Sequence, residues 1–387
     1  MRIAIVSSTL PPEGRGGAEA YVATLAAHLR ERHEVVLLSG APDPGLEGVA
    51  HIRLPRLRPV REGDSAAYRL FWHARDQWLP SVHVAMGRAL ARARPDVVHT
   101  HEPQGLSAAV FTATTRARLP HVHTAHDLNL LCARTSMTRG GTFCGGRCLD
   151  CQLQRAVRGR AVRGRVDRLI GVSDYIVARH LEASIVSEDR AVTLRPAANA
   201  AQPTPRQLER GRVRLGFIGS VAAHKGIRTL IAAMGDAPTC SLTVAGTGTL
   251  EDLVRRAARE NPRITFLGHV DGAAKEAFFA AIDVLVVPSE WEEPAAMVGF
   301  EAAVRGIPVV ASDRGGLPEL PEVATFRAGD ATDLLRAVAA VAGRPEQWLA
   351  IRERLLAARD LYGWPRHVAD VEAVLERAVT EHARRAS

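Results

Sequence analysis

Short apolar runs that alternate with helical stretches constrain the fold of this chain more than any other feature. In the first half the runs of strand length cover residues 3–8, 34–39, 97–101, 121–125 and 168–173, and a helix is predicted over residues 18–31. A regular alternation of strand and helix is typical of α/β domains with parallel sheets. The pattern therefore predicts a doubly wound sheet at the start of the chain.

The alternation stops at Pro203 and Pro205, in a polar stretch, and then restarts. The second set of runs covers residues 214–220, 242–246, 264–268, 284–288 and 308–312. A length of 387 residues also fits two domains. We predict Rossmann-like domains at residues 1–200 and 213–364, a linker at 201–212 and a helix at 365–387 that caps the second domain or crosses back to the first. Ligands of such sheets bind beyond the carboxyl ends of the strands, so the chemistry is expected in a central cleft that both domains face.

Composition excludes several classes of protein. A charged fraction of 24% with 47% hydrophobic residues is typical of a globular chain and not of a disordered one. The apolar runs have strand length, far below the ~20 residues of a membrane-spanning helix. Because the first residues read as a strand and not as a signal peptide, we expect a cytoplasmic protein. The formal charge of +8 suggests anionic partners, such as nucleic acid, phosphorylated substrates or the inner membrane face.

Glycine and lysine residues after the first strand of each domain point to anion binding. Gly16 and Gly17 open the first helix, where free backbone N–H groups and the helix dipole attract phosphate. Lys225 follows the first strand of the second domain and can place a point charge on a diphosphate. Lys225 and Lys275 are the only lysines among 50 basic residues. An ordinary glycine turn and a solvated loop lysine are the alternative interpretations.

Two carboxylates, eight positions apart, flank a predicted helix start. Glu293 lies in the turn after the strand at 284–288, and Glu301 is predicted about two turns into the helix. Backbone N–H groups at residues 295–297 would form an anion site between them, and carboxylates accept paired hydrogen bonds from vicinal diols. The pattern favours a ligand with phosphate in the middle and hydroxyls at both ends. Two solvated glutamates beside an ordinary helix start would give the same spacing.

These motifs occur in the order found in a known family. The E-x7-E pair is followed by Gly-Ile-Pro-Val-Val-Ala-Ser-Asp-Arg-Gly-Gly at residues 306–316. Further matching segments are Gly-Gly-Ala-Glu at 16–19, His-Thr-Ala-His-Asp at 123–127, Lys-Gly at 225–226 and Ala-Gly-Thr-Gly at 245–248. Together they resemble the retaining, nucleotide-sugar-dependent glycosyltransferases of the GT-B fold, in the large family 4 that includes sucrose-phosphate synthases and many bacterial mannosyltransferases. The resemblance extends over nearly the whole chain.

The resemblance implies roles for individual residues. Lys225 would neutralise the donor diphosphate, Glu301 would bind the ribose diol, and Glu293 would hold hydroxyls of the transferred sugar. His126 matches the family histidine beside the reacting sugar, so the implied catalytic residues are His126, Glu293 and Lys225. The implied donor contacts are Gly16, Gly17, Lys225, Arg228, Val270, Glu293, Ala295, Ala296, Met297, Val298 and Glu301.

One position departs from the family pattern. The family commonly has Gly-Arg where this chain has Gly219-Ser220, so the arginine that joins the lysine on the diphosphate is missing there. Arg228, about one helical turn beyond Lys225, is the candidate substitute.

The implied reaction moves a sugar, a hexose by expectation, from a nucleotide-diphosphate sugar to an acceptor hydroxyl with retention of configuration. UDP- or GDP-sugar is the expected donor. Lys225, helix N-termini and glycine amides would meet the charge of the leaving diphosphate in place of a catalytic metal, and the leaving phosphate itself would act as the base. The expected acceptor is a saccharide, a lipid-linked sugar or a secondary metabolite, with Glu102 and Asp127 as candidate contacts. Ordinary polar residues at strand ends are the alternative interpretation of these two acids.

Four of the five cysteines, Cys132, Cys144, Cys148 and Cys151, form a cluster. In a cytosolic chain, closely spaced thiols favour a tetrahedral zinc site over disulfides. We therefore predict a structural zinc in an insertion at 132–151, on the acceptor side. An iron–sulfur cluster and free thiols are the alternatives, because the spacing is not the strict paired C-x2-C pattern.

The arginines after the cysteine cluster form the densest charge run of the chain: Arg155, Arg158, Arg160, Arg163, Arg165 and Arg168. The run suggests peripheral contact with anionic lipid at the inner membrane face or with a phosphorylated acceptor. A solvated helix face is the plainer interpretation.

Two other functions share some of these features. A GT-B sugar-nucleotide epimerase would have the same fold and a different acceptor chemistry. A nucleic-acid-binding protein would use the cysteine cluster and the arginine run and would bind oligonucleotides in a salt-sensitive way. That second function leaves the Glu293 and Glu301 pair without a role, so no nucleic-acid partner is expected.

Overall fold

The computed structural model describes residues 1–14, 16–60, 63–132, 135, 137–139, 142–143, 149–199, 203 and 207–386. The chain divides into two compact units. Unit 1 consists of the described residues of Met1–Met137, Cys144–Arg195 and Val368–Ser387, and unit 2 of those of Thr138–Phe143 and Pro196–His367.

Unit 1 is built on a seven-stranded parallel sheet with the order β3-β2-β1-β4-β5-β8-β9. Two further strands, β6 and β7, pair only with each other as an antiparallel ladder. The strands in chain order are β1 (Arg2–Ser7), β2 (Glu34–Ser39), β3 (Ala50–Arg53), β4 (Val97–Thr100), β5 (His121–Ala125), β6 (Thr138–Arg139), β7 (Thr142–Phe143), β8 (Arg168–Gly171) and β9 (Ala191–Thr193).

Unit 2 is built on a six-stranded parallel sheet with the order β12-β11-β10-β13-β14-β15. Its strands are β10 (Val213–Ile218), β11 (Cys240–Ala245), β12 (Ile264–Gly268), β13 (Val284–Val287), β14 (Val309–Ser312) and β15 (Ala324–Phe326). Both sheets change direction of winding at their middle, between β1 and β4 and between β10 and β13. Such switch points open a crevice at the carboxyl ends of the two central strands.

Helices connect the strands of both sheets. In chain order they are α1 (Gly17–Leu29), α2 (Ala66–Arg75), α3 (Pro80–Ala93), α4 (Ala109–Arg116), α5 (Leu149–Val162), α6 (Asp174–Glu182), α7 (Ile227–Ala233), α8 (Glu251–Glu260), α9 (Gly272–Ala281), α10 (Met297–Ala303), α11 (Ala331–Ala342), α12 (Pro345–Ala357) and α13 (Trp364–Ala386). Side-chain caps fix several starts. The hydroxyl of Ser173 accepts a hydrogen bond from the Ile176 amide at the start of α6, and Asp330 caps α11 in the same way.

The cores explain the apolar runs of the sequence. The central strands β4, β5, β13 and β14 are buried along their whole length, as expected for parallel strands covered on both faces. The prediction of two doubly wound parallel sheets is confirmed.

The segment between the predicted domains lies partly outside the described residues. Of the expected linker, 201–202 and 204–206 are not described. Leu208 packs in the core of unit 2, and β10 begins at Val213. The helix α13 starts in unit 2 and contributes its residues from Val368 onward to unit 1.

Among the described helices, none combines the length and the apolar character that crossing a bilayer demands.

Candidate active site

The switch point of unit 2 brings Lys225 and Glu293 together. The strands β10 and β13 are neighbours in the sheet, so the loops after them leave from the same edge. Lys225 ends a short 3₁₀ turn after β10, and Glu293 lies in the loop after β13. The Lys225 Nζ is 3.0 Å from Oε1 and 2.7 Å from Oε2 of Glu293. Two residues that the sequence singled out separately therefore form one ion pair.

Glu293 is held by three donors. Its side chain is only 9% exposed, and its Oε2 also accepts hydrogen bonds from Ser289 Oγ at 2.9 Å and Trp291 Nε1 at 2.7 Å. Burial by itself raises the pKa of Glu293, but the charge of Lys225 and the three donors outweigh burial and hold the pKa below its ordinary value. Glu293 is thus a fixed anion at neutral pH. The Lys225 ammonium also lies 5.0 Å from the centre of the Trp291 ring.

Glycines of the segment at 306–316 brace the loop of Glu293. The Gly316 amide donates to the Glu293 carbonyl at 2.8 Å. Gly315 has a φ of 59°, and a Cβ at this position would collide with the backbone oxygen and nitrogen of Glu293. Ser312 Oγ donates to the Ser289 carbonyl at 2.5 Å. The segment at 306–316 therefore contacts the backbone of the loop that carries the Glu293 carboxylate.

Glu301 is paired with the second lysine of the chain. Lys275 on α9 donates to Glu301 Oε1 at 2.7 Å, whereas the buried Oε2 finds no hydrogen-bond partner among the described residues. The helix α10 begins at Met297, because Ala296 has extended backbone angles (φ −85°, ψ 100°) and is the N-cap. Glu301 is therefore just over one turn into the helix, not two as expected.

The position of the helix start also changes the expected amide site. Ala295 precedes the cap, so its N–H is not one of the free amides of the first turn, while Met297 and Val298 are the first two helical residues. Ala296 is buried. The expected span of free amides at 295–297 is therefore wrong at Ala295.

The other expected donor contacts occupy separate places. Val270 follows β12 and packs partly against the core of unit 2. Arg228 is exposed on α7 and makes no ion pair within the described part of the chain. In unit 1, Gly16 caps α1 and Gly17 is its first residue, and both are exposed.

The switch region of unit 1 positions His126. The neighbouring strands β4 and β5 end at Thr100 and Ala125, so the histidines that follow them meet. His101 Nδ1 is 3.0 Å from His126 Nε2. The Tyr21 ring of α1 meets the His126 ring edge-on, with 5.0 Å between the centres. Sequence reasoning found His126 but missed its contact with His101, which is only 2% exposed.

A cavity of about 720 Å³ opens along the same edge of unit 1. It is lined by the residues that follow three adjacent strands: Ser8 and Thr9 after β1, Glu102 after β4 and Asp127 after β5. Glu19 of α1 lines it too. This is the location that a doubly wound domain provides for a ligand.

The cysteine cluster lies largely outside the described residues. Cys144 and Cys148 fall there, as does the side chain of Cys151, and Cys132 is buried. The described residues contain no group of three or more histidine, cysteine or acidic side chains placed to hold a metal. The zinc site stays a prediction.

The arginine run is not a continuous surface patch. Arg158 is buried and donates to Asp76 Oδ2 and Asn129 Oδ1, both at 2.7 Å. Arg168 is buried as well and pairs with Glu381 of α13. Because these two guanidinium groups are used inside unit 1, the expectation of one solvated basic face over all six arginines is wrong.

Comparison with known proteins identifies the family. The model of "Glycosyltransferase Family 4" matches residues 15–201, and that of "Glycosyl transferases group 1" matches residues 212–344. The chain is 30% identical to a glycogen synthase of Mycobacterium tuberculosis over 345 residues, 82% of this chain and 80% of the relative. It is also 30% identical to a phosphatidyl-myo-inositol mannosyltransferase of Mycobacterium leprae over 309 residues, 77% of this chain and 75% of the relative.

A solved structure agrees with this in its fold. The HepE protein of Anabaena in complex with UDP superposes with a TM-score of 0.72 and 17% identity, over 97% of this chain and all of that one. With two matching domain models and relatives that extend over most of its length, the chain belongs to the GT-B glycosyltransferases of the group 1 and family 4 type.

Proposed function

We propose that this glycosyltransferase moves a hexosyl group from a nucleotide-diphosphate sugar to an acceptor hydroxyl with retention of configuration. The observation that carries the proposal is the ion pair between Lys225 and Glu293 at the carboxyl edge of the unit 2 sheet. A cation and a fixed carboxylate side by side match the two ends of a sugar diphosphate, its phosphates and its hydroxyls.

Lys225 and Glu293 divide the donor between them. The Lys225 ammonium has three N–H groups, two of which bind Glu293, so a third remains for a phosphate oxygen. Glu293 accepts from hydroxyls of the transferred sugar. Glu301, steadied by Lys275, accepts from the ribose diol. The amides of Met297 and Val298 and the glycines at 16–17 add donors for the diphosphate.

UDP-sugar is the first donor to test, with GDP-sugar as the other candidate. HepE, which shares the fold, was solved with UDP. The proposed base contact is the turn at Val270, after β12.

The mechanism follows from where charge develops. As the bond from the anomeric carbon to the diphosphate breaks, the leaving phosphate gains negative charge, and Lys225 and the backbone amides stabilise that charge without a metal ion in the proposed mechanism. The acceptor hydroxyl attacks from the same face of the sugar and gives its proton to the leaving phosphate. His126 borders the reacting sugar, with its ring oriented by His101.

The acceptor is proposed to bind in the unit 1 cavity that Glu102 and Asp127 line. A volume of about 720 Å³ holds one or two sugar rings. Saccharide and lipid-linked acceptors are both compatible with a cavity of this size.

A donor screen tests the proposal directly. The unfolding temperature is measured with UDP-, GDP- and dTDP-sugars, and the anomeric configuration of the product formed with the best donor is determined by NMR. We expect one nucleotide to raise the unfolding temperature and the product to keep the donor configuration. If none of the nucleotides binds, the donor site is wrong; an inverted product would leave the donor site in place and overturn the retaining mechanism.

A further inference from the structure

Three carboxylates of unit 1 face the same cavity. Glu19, Glu102 and Asp127 all line it, and they arrive from three different elements: α1, the end of β4 and the end of β5. They are close enough to affect one another, since the charges of Glu19 and Asp127 both act on Glu102. Because like charges repel, acidic side chains on a surface are normally spaced apart and do not face one cavity together.

Among the described residues, no positive side chain forms an ion pair with any of these three carboxylates. Glu19 Oε1 accepts from Thr9 Oγ1 at 3.1 Å, and Asp127 Oδ1 accepts from the Asn129 amide at 2.7 Å. The carboxylate of Glu102 has neither a hydrogen bond nor an ion pair within the part of the chain that the structure describes.

Two of the nearby cations are paired with other carboxylates. Arg56 lines the same cavity but pairs with Glu13. Arg158, whose charge reaches Asp127, binds Asp76. Arg69 lines the cavity from an exposed position on α2 and makes no ion pair with the three acids.

The three carboxylates therefore destabilise one another in the cavity, and a positively charged ligand can offset this repulsion. Burial, followed by the charges of Glu19 and Asp127, raises the pKa of Glu102 well above its ordinary value. Burial is also the main cause that raises the pKa of Asp127 to about 6. A buried carboxylate without a partner is expensive, and a cation brought by a ligand offsets that cost.

Apolar side chains also line the cavity. Among them are Leu57, Pro59 and Trp72, and the indole of Trp72 is fixed by its hydrogen bond to the Arg58 carbonyl at 2.9 Å. Such side chains accept the C–H face of a sugar or cyclitol ring. The cavity thus combines a group of carboxylates with apolar side chains on which a ring can pack.

We infer that the acceptor carries a protonated amine, as in an amino sugar or an aminocyclitol, and that Glu102 binds its ammonium group in this cavity, where Glu19 and Asp127 add negative charge. The inference rests on the proposed function, because it names the acceptor class of the same transfer. The ammonium supplies three N–H donors. Its binding orients the ring, and a hydroxyl elsewhere on the ring is the group that attacks the donor.

Binding of three matched probes to the full chain tests the inference. Methyl 2-amino-2-deoxyglucoside, methyl 2-acetamido-2-deoxyglucoside and methyl glucoside share a ring and differ in charge, and their dissociation constants are measured by NMR titration near pH 7. We expect the amine to bind about tenfold or more tightly than both neutral glycosides, the range that a charge-assisted hydrogen bond gives. Equal binding of the three, or no saturable binding of the amine, overturns the inference.

Two matched variants locate the effect. Glu102→Gln is expected to abolish the preference for the amine, and Glu47→Gln, which removes an exposed carboxylate of unit 1 away from the cavity, is expected to keep it. Because Glu102→Gln removes a repelling charge, its unfolding temperature is expected to equal or exceed that of the wild type. A preference that survives in Glu102→Gln contradicts the assignment.

Donor binding, measured on the same samples by the shift of unfolding temperature with UDP, separates the two proposals. A normal UDP shift without amine preference means that the acceptor inference fails and the proposed function stands. If UDP does not shift the unfolding temperature but the amine preference is present, the proposed function fails and the amine-binding cavity stands.

Discussion

At the scale of single residues, the ion pair of Lys225 and Glu293 concentrates the proposed donor chemistry in two side chains. Lys225→Ala is expected to lower kcat/KM for the donor by about 10²–10³, the usual loss when a group that stabilises developing charge is removed. Steady-state kinetics with UDP-sugar at varied donor concentration measure this. The same change leaves Glu293 buried with only neutral donors, so its pKa is expected to rise.

Arg210→Ala is the control for loss of a basic side chain. Arg210 is 85% exposed in a long pair with Glu346, at 3.5 Å, so removal of its charge is expected to leave kcat/KM unchanged. Wild-type kinetics in Lys225→Ala would take Lys225 out of the site. A loss of similar size in both variants would point to a general effect of charge and not to the donor site.

The sequence predicted the individual site residues better than their contacts. The E-x7-E spacing and the isolated lysine marked Glu293 and Lys225, but their contact depends on β10 lying beside β13, whereas two other strands separate these in the chain. Trp291 and Ser289 lie just before the E-x7-E pair, and the spacing assigns them no role. Lys275 was visible only as the second of two lysines, and nothing in its surroundings linked it to Glu301.

At the scale of elements, the central strands were predictable, whereas three of the four strands at the edges of the two parallel sheets were not. The bounds expected for β2 and β5 agree with the structure to the residue, because buried parallel strands are continuous apolar runs. The edge strand β12 also has the expected bounds, although only part of it is buried. No pattern in the sequence predicts β3, β9 and β15, which lie at the sheet edges. They have three or four residues each, mostly half-buried or exposed, so no apolar run marks them.

The loop that carries Glu293 depends on a glycine in the neighbouring loop. Gly315→Ala is expected to weaken donor binding and to lower the unfolding temperature of unit 2, since its Cβ would collide with the backbone of Glu293. Gly329→Ala is the matched control, because Gly329 also has positive φ (82°) but nothing lies within 4 Å of the added Cβ. Backbone strain of about 1–2 kcal/mol applies to both.

Thermal unfolding with and without UDP compares the two glycine variants. Only Gly315→Ala is expected to lose the shift of unfolding temperature that the nucleotide causes. If both variants keep the shift, the close approach of the two loops is not needed for the donor site.

A buried histidine in α6 is expected to make the protein sensitive to acid. His180 is fully buried, its Nδ1 bonds to the Ile176 carbonyl at 2.8 Å, and burial lowers its pKa from 6.5 to about 4. Because the folded-state pKa is the lower one, the unfolded chain binds more protons below about pH 6.5. The contribution of His180 to the free energy of unfolding should therefore be complete above that pH and decrease as the pH falls toward 4.

Urea denaturation at several pH values between about 7 and 5 measures this dependence. His180→Leu is expected to flatten it, and substitution of the exposed His269 by Leu is expected to leave it unchanged. An identical pH dependence in His180→Leu and wild type would assign the acid sensitivity to other groups. His121, whose pKa burial also lowers to about 4, is the next candidate.

At the scale of the whole molecule, two repeats of one sequence pattern were sufficient to predict two domains. The repeated pattern did not predict in which of the two units the last helix packs. Its amphipathic pattern shows that α13 buries one face, but the pattern does not name the surface that covers it. The structure resolves this through particular contacts of unit 1: Glu372 with His33 at 2.9 Å and with Arg32 at 2.6 Å, and Glu381 with Arg168.

Because most of α13 belongs to unit 1, a destabilising change in this helix is expected to affect unit 1 and not unit 2. Leu375 is fully buried, so Leu375→Ala is expected to cost about 3 kcal/mol of stability through lost burial and a cavity. Hydrogen exchange should then rise in β1, β4 and β5, although these strands lie far from Leu375 in sequence, and stay at the wild-type level in β10 and β13. Glu376→Ala, at the exposed next position, is the control and should change neither set, because exposed helix positions contribute little. Faster exchange in the unit 2 strands alone would mean that the helix stabilises the unit in which it starts and not the one in which it ends.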